Sequence, residues 1–182
     1  MQNLSEQSFR LSLLPESDHA ELRVLRQGDI TSAYIDGMND PEVRHFVSIN
    51  RGVLNAQSVQ NFVMDNWQRE DCLLFGLFIA GIHRGNVRLH EYDGASIWLG
   101  IALFDRSIWG QGFGVRMISA ASNFALNELS CLSVRAGVDR KNEKSVAVFC
   151  NAGFSVFEEK PDGFVMARHC VSDLSHGEAG SR

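Results

Sequence analysis

The chain has 182 residues, 45% of them hydrophobic, with a formal net charge of −5 and a pI near 5.6. That is enough apolar material for one globular domain with a sizeable core, and the acidic balance argues against nucleic acid as a partner, since phosphate backbones are held by basic surfaces. No apolar run approaches a membrane-spanning length, so no membrane partner is expected, and Cys72, Cys131, Cys150 and Cys170 stand far apart, as reduced and mostly buried thiols rather than a disulfide or zinc framework.

Residues 1–19 read as an extension, with an extra edge strand within 9–14. Glu6 and Glu16 stand where a signal peptide would have a basic start and an apolar centre, so a cytoplasmic protein is expected. Residues 21–26 alternate polar and apolar, as a half-buried strand does. Asp29 is the predicted N-cap of a helix to about residue 38, which Asn39-Asp40-Pro41 breaks or restarts. Residues 55–68 carry Val59, Phe62, Val63 and Trp67 at helical spacing. Residues 73–80, with Phe75 and Phe78, form a continuous apolar run, a central strand.

A turn over 81–84, a strand over 86–92, a turn at Gly94 and a strand over 96–104 follow. From Val115 a helix sets Met117, Ile118, Ala121, Phe124 and Ala125 on one face, toward the sheet. Residues 132–138 form the next strand. Asn142, with Ser145 three residues on, opens a short helix that ends at a left-handed Gly153. Residues 154–159 and 164–171 close as a hairpin around Pro161-Asp162-Gly163, and the polar tail over 172–182 is expected to be mobile. No repeat or linker divides 20–171. The order β-α-α-β-β-β-α-β-α-β-β predicts an α/β (α+β) domain, a mixed, mostly antiparallel sheet flanked by helices.

The most informative segment is 97–124, IWLGIALFDRSIWGQGFGVRMISAASNF, an apolar strand, a glycine-rich turn and a helix. Glycines at 110, 112 and 114 let the backbone approach a negative group, while first-turn amides and the helix dipole supply positive potential, as a pyrophosphate requires. A P-loop would need Gly-Lys-Ser/Thr where the chain has Gly114-Val115-Arg116. The dinucleotide fingerprint starts at Gly110 and Gly112 but meets Val115 at its last glycine. A glycine turn serving only strand–helix packing is the plainer alternative.

Gly112-Phe113-Gly114 fills the last three positions of Q/R-x-x-G-x-G/A, the pyrophosphate loop of acetyl-CoA-dependent N-acetyltransferases, with Trp109 at the Gln/Arg position. Strand, Asn142-x-x-Ser145, helix, Gly153-Phe154 resembles the second cofactor motif of the GNAT superfamily. Residues 34–43 look like the W-x-N-D-P-E-V stretch of its ribosomal-protein-alanine and amino-sugar N-acetyltransferase branch, residues 85–89 like that branch's IGNIxL strand, and residues 108–114 like its YWGKGYG loop, in which an aromatic residue often replaces the Gln or Arg. The resemblance covers about residues 21–170.

It implies that the strands at 99–103 and from 132 splay apart and that acetyl-CoA, with no metal, lies between them. Its contacts would be Ile101, Leu103, Trp109, Gly110, Gln111, Gly112, Phe113, Gly114, Val115, Asn142, Ser145 and Phe149. A backbone amide near Ile101 would polarise the acetyl carbonyl. Many family members carry a Tyr acid at the position of Phe149, which cannot donate a proton. Ser145 is then the candidate acid, against a role capping its own helix. His90 and Glu91 are the candidate bases, against a polar strand end in solvent. His45, Arg51 and Tyr92 are the expected acceptor contacts, and Arg44, Arg51 and Arg88 are candidate contacts to a nucleotide-sugar phosphate, against an equal reading as solvated surface charges. His19, His83, His169 and His176 read as surface residues, and Cys150 as facing the core. The implied acceptor is a small-molecule amine or a protein N-terminus, the protein a monomer or homodimer. A non-catalytic CoA-binding regulator is the reading from another class.

Overall fold

The computed structural model describes residues 10–13, 19–46 and 52–170. The tail and the loop with Arg51 lie outside them. Eight strands form one sheet: β1 (Arg10–Ser12), β2 (Ala20–Val24), β3 (Leu73–Ile79), β4 (Ile82–His90), β5 (Ser96–Leu103), β6 (Ser133–Asp139), β7 (Ser155–Lys160) and β8 (Gly163–His169). Their spatial order is β1-β2-β3-β4-β5-β6-β8-β7. Every neighbouring pair is antiparallel except β5 and β6. The helices are α1 (Ser32–Asn39), α2 (Pro41–Phe46), α3 (Ala56–Gln68), α4 (Phe113–Asn127) and α5 (Glu143–Asn151). This is the expected α/β domain.

β3 shows how the layers arise. Its uninterrupted apolar run suits a strand covered on both faces. Leu73, Phe75 and Leu77 enter a core shared with α4, while Leu74 and Phe78 enter a second core under α1 to α3. The helix stripe Met117, Ile118, Ala121, Phe124 and Ala125 is buried as its spacing predicts. Burying one such large side chain contributes about 1.5–3 kcal/mol.

Four expectations are corrected. Thr31, not Asp29, caps α1, its side chain accepting the Tyr34 amide at 3.2 Å. Asp29 instead binds Arg23 at 2.7 and 2.8 Å and accepts the Arg26 amide at 2.8 Å. Burial pushes its carboxyl up, but these bonds hold it below its ordinary range. The turn after β3 is at Ala80 and Gly81, both at positive φ, so β4 begins at Ile82.

His83 is therefore a strand residue and only 8% exposed. Its ring stacks on Phe78 and meets Phe104 edge-on. Its Nε2 lies 2.8 Å from Asn86 Oδ1, and Asn86 Nδ2 donates to the Tyr34 hydroxyl at 2.9 Å. Burial lowers its pKa despite Asn86, so the imidazole is neutral at pH 7. Cys150 is exposed rather than turned into the core, and Cys170 is half-buried.

Candidate active site

The one parallel pairing is also the shortest in the middle of the sheet. β5 and β6 pair only at Ser96–Ser133, Ile97–Val134 and Trp98–Arg135. Beyond Trp98, β5 stays in register with β4 from Leu99 to Leu103, and β6 stays in register with β8 from Ala136 to Asp139. Each strand thus turns an unpaired edge toward the other. Such edges attract an extended ligand that can supply the missing hydrogen bonds. Ile101 and Leu103 are half-buried on this edge.

The open end of the gap meets the start of α4. Gly110 and Gly112 have φ of 77° and 80°, a left-handed backbone natural to glycine, and a Cβ at either would meet nothing within 4 Å. Gly112 is the N-cap and offers no side chain. The first intrahelical bond runs from the Arg116 amide to the Gly112 carbonyl, so the amides of Phe113, Gly114 and Val115 find no carbonyl a turn earlier. Gly114 differs: a Cβ there would stand 3.2 Å from Val148 Cγ1 and 3.6 Å from Leu103 Cδ1. Packing thus crowds Gly114, while Gly110 and Gly112 face open space.

The loop is braced from both sides. The Trp109 indole donates to the Leu103 carbonyl at 3.0 Å, and the Gln111 side-chain amide donates to the Ser107 carbonyl at 2.8 Å. Arg84 pairs with Asp105, and Arg106 reaches Asp40 at 3.4 Å.

Across the gap, α5 begins with Asn142, whose Oδ1 accepts the Ser145 amide at 3.0 Å. Its Nδ2 has no partner among the described residues. The Ser145 hydroxyl also has none, so Ser145 is not the cap of its own helix. Phe149 is 2% exposed, packed edge-on against Phe154. Its ring packs in the core.

His90 stands opposite Trp98 at the apex of the gap, on the sheet face away from α4. Burial, together with the charge of Arg88, holds its pKa below the ordinary value despite Glu91. Glu91, at φ 56°, approaches His90 Nδ1 at 3.2 Å and is largely exposed. Tyr92 goes elsewhere: it packs in the α4 core and its hydroxyl reaches the carbonyls of Gly94 and Leu129, beyond the far end of α4. His45 is exposed on the last turn of α2. Among the described residues no cluster could hold a metal ion, and no helix is long and apolar enough to cross a membrane.

Trp98, Arg135, Gly100 and Gly137 surround the apex and belong to no motif of the sequence. The alternation Val134, Ala136, Val138 against Arg135, Gly137, Asp139 was the available signal, since it puts the second set on the face away from α4.

Residues 19–155 match the model of a family described as an acetyltransferase (GNAT) domain. No curated protein matches in sequence. Among solved structures, a GNAT-family acetyltransferase from Bacillus anthracis superposes with a TM-score of 0.75 at 17% identity, covering 88% of this chain and 98% of its own. Mycobacterium smegmatis RimJ, in complex with CoA-disulfide, gives 0.74 at 15%, covering 92% and 88%. Vibrio cholerae spermidine N-acetyltransferase, in complex with CoA and spermine, gives 0.71 at 18%, covering 84% and 96%. At these identities the likeness speaks for the fold.

Proposed function

The chain belongs to the GNAT acetyltransferase family, and from that premise we propose that it moves an acetyl group from acetyl-CoA to a primary amine by direct attack, the acceptor being a small molecule such as an amino sugar. The observation that carries this reading is the parting of β5 from β6 after Trp98, beside a helix that opens on left-handed glycines. The residues fit the co-substrate. The amides of Gly112 to Val115 would take the pyrophosphate, and the free edge over 99–103 and Asn142 Nδ2 would take the pantetheine arm. Bound acetyl-CoA supplies the thioester.

The protein's own groups account for the rest. An edge amide near Ile101 would polarise the acetyl carbonyl. His90, held neutral by its surroundings, would draw a proton from the incoming ammonium, through water and aided by Glu91. The unbonded Ser145 hydroxyl would return a proton to the leaving thiolate. Holding the two reactants at one point supplies much of the rate by itself.

Release of free thiol from acetyl-CoA on addition of amines tests the reading. Amine-dependent thiol release with an N-acetyl product supports it. Tight CoA binding with no transfer to any amine, small molecule or peptide N-terminus, would leave a CoA-binding regulator instead. Transfer to peptide N-termini alone would move the acceptor class to protein.

A further inference from the structure

The sheet face away from α4 is where an acceptor would reach the apex of the gap. Two rows of side chains cross it. In one, His90, Trp98, Arg135 and Ala167 are successive cross-strand partners. In the next, Arg88 stands opposite Gly100. Two residues past the last β5–β6 pair, Gly100 and Gly137 stand on opposite sides of the gap, Gly137 opposite Val165. A Cβ at Gly100 or Gly137 would meet nothing within 4 Å. The two rims of the gap are bare there, with Arg88 beside Gly100 on β4 and Arg135 two residues before Gly137 on β6.

These two arginines differ from most others in the protein. Arg10, Arg23, Arg69, Arg84, Arg106 and Arg140 each face an Asp or Glu within 4.0 Å. Arg88 and Arg135 are half-buried and have no such carboxylate among the described residues. Arg88 lies 5.8 Å from the Phe62 ring centre and has a buried Nε without a partner. Arg135 lies 5.5 Å from the ring centre of Phe157, itself 55% exposed. The nearby Asp93 is occupied by the Ala95 and Ser96 amides and the Ser96 hydroxyl. Glu91 turns to His90.

Asp93 shares an electrostatic attraction with Arg135 but does not reach it as an ion pair, and a half-buried guanidinium without a carboxylate in contact is costly, while its planar fork matches a carboxylate or a phosphate. We propose that the acceptor carries an anionic group besides its amine, and that Arg88 and Arg135 hold that group over Gly100 and Gly137. A polycation such as spermine would meet charge of its own sign here. The proposal rests on the acetyltransferase reading and narrows its substrate class.

Matched amines test it by thiol release from acetyl-CoA: glucosamine 6-phosphate against glucosamine, and alanine against alaninamide, with spermidine as the cationic reference. A charge-assisted pair is worth about 1.5–3 kcal/mol, so the anionic member should show a kcat/KM about 10- to 100-fold higher. The pair that responds tells phosphate from carboxylate. In Arg88→Gln the ratio should collapse toward unity, with CoA affinity as the control for an intact fold. Arg135→Gln serves if that variant does not fold. Equal or better use of spermidine or the neutral members overturns the proposal while leaving acetyl transfer standing. If no amine of the panel reacts, inorganic phosphate and succinate are titrated into the CoA-saturated protein. A stabilisation by one of them that Arg88→Gln abolishes supports the proposal, and its absence overturns it. Failure to bind CoA at all would instead sink the acetyltransferase reading.

Discussion

Two helices of similar length begin in opposite ways. α3 is closed at its start: Asn55 accepts the Ser58 amide and Ser58 accepts the Asn55 amide, both at 2.8 Å. α4 starts at Gly112, which has no side chain and a left-handed backbone. A helix that only roofs a core gains about 1 kcal/mol from its cap, and α3 takes it. α4 leaves its first amides without a cap or an intrahelical carbonyl at the positive end of its dipole, an arrangement that an anionic group would complete. The sheet repeats the contrast. β4 and β5 form an unbroken ladder from His90–Trp98 to Gly85–Leu103, while β5 and β6 part beside the open helix.

Giving α4 the start that α3 has would break the contrast most sharply. Gly112→Asp supplies a cap and a negative charge together, so CoA affinity by calorimetry should fall by about 100-fold or more, roughly 3 kcal/mol. Circular dichroism should show the helices intact. Gly112→Ala carries the backbone strain without the charge and should lose far less affinity.

Ser145→Ala probes the gap from α5. It should lower kcat by about 10²-fold, the lower range for general acids, with KM for acetyl-CoA little changed. A normal kcat would assign the proton to solvent. The reciprocal experiment is Asn55→Ala, which should cost about 1 kcal/mol in denaturant unfolding and leave CoA affinity alone.

The smallest effect concerns acid. His83 sits on the closed side with a lowered pKa, so the unfolded chain takes up its proton first. The stability that neutral His83 contributes is complete above the ordinary 6.5 and is lost as pH falls from there through the folded value. Stability should decline from pH 7 toward 5.5, and His83→Gln should flatten that decline.

The local patterns of the fold were legible in the sequence. The α4 stripe, the β3 run and the Gly153 terminus follow from spacing and backbone preference alone. Long-range competition was not legible: Asp29 is as good a cap as Thr31, but Arg23 on β2 claims it. Starting β4 four residues late hid His83, because the residue was never put on the pleat. The site divided in the same way. The glycine loop and Asn142 lie within local motifs. His90 and Tyr92 are near neighbours in sequence that part to opposite faces of the sheet, and the pair Arg88 and Arg135 emerges only from the β4–β5–β6 register.

The central claim is that the gap between β5 and β6 and the uncapped start of α4 form one CoA site. Calorimetric titration of the protein with CoA and, separately, with NAD tests it most directly. CoA should bind with 1:1 stoichiometry and raise the melting temperature, as a ligand selective for the native state does, while NAD should do neither. Binding of NAD without binding of CoA would contradict the claim.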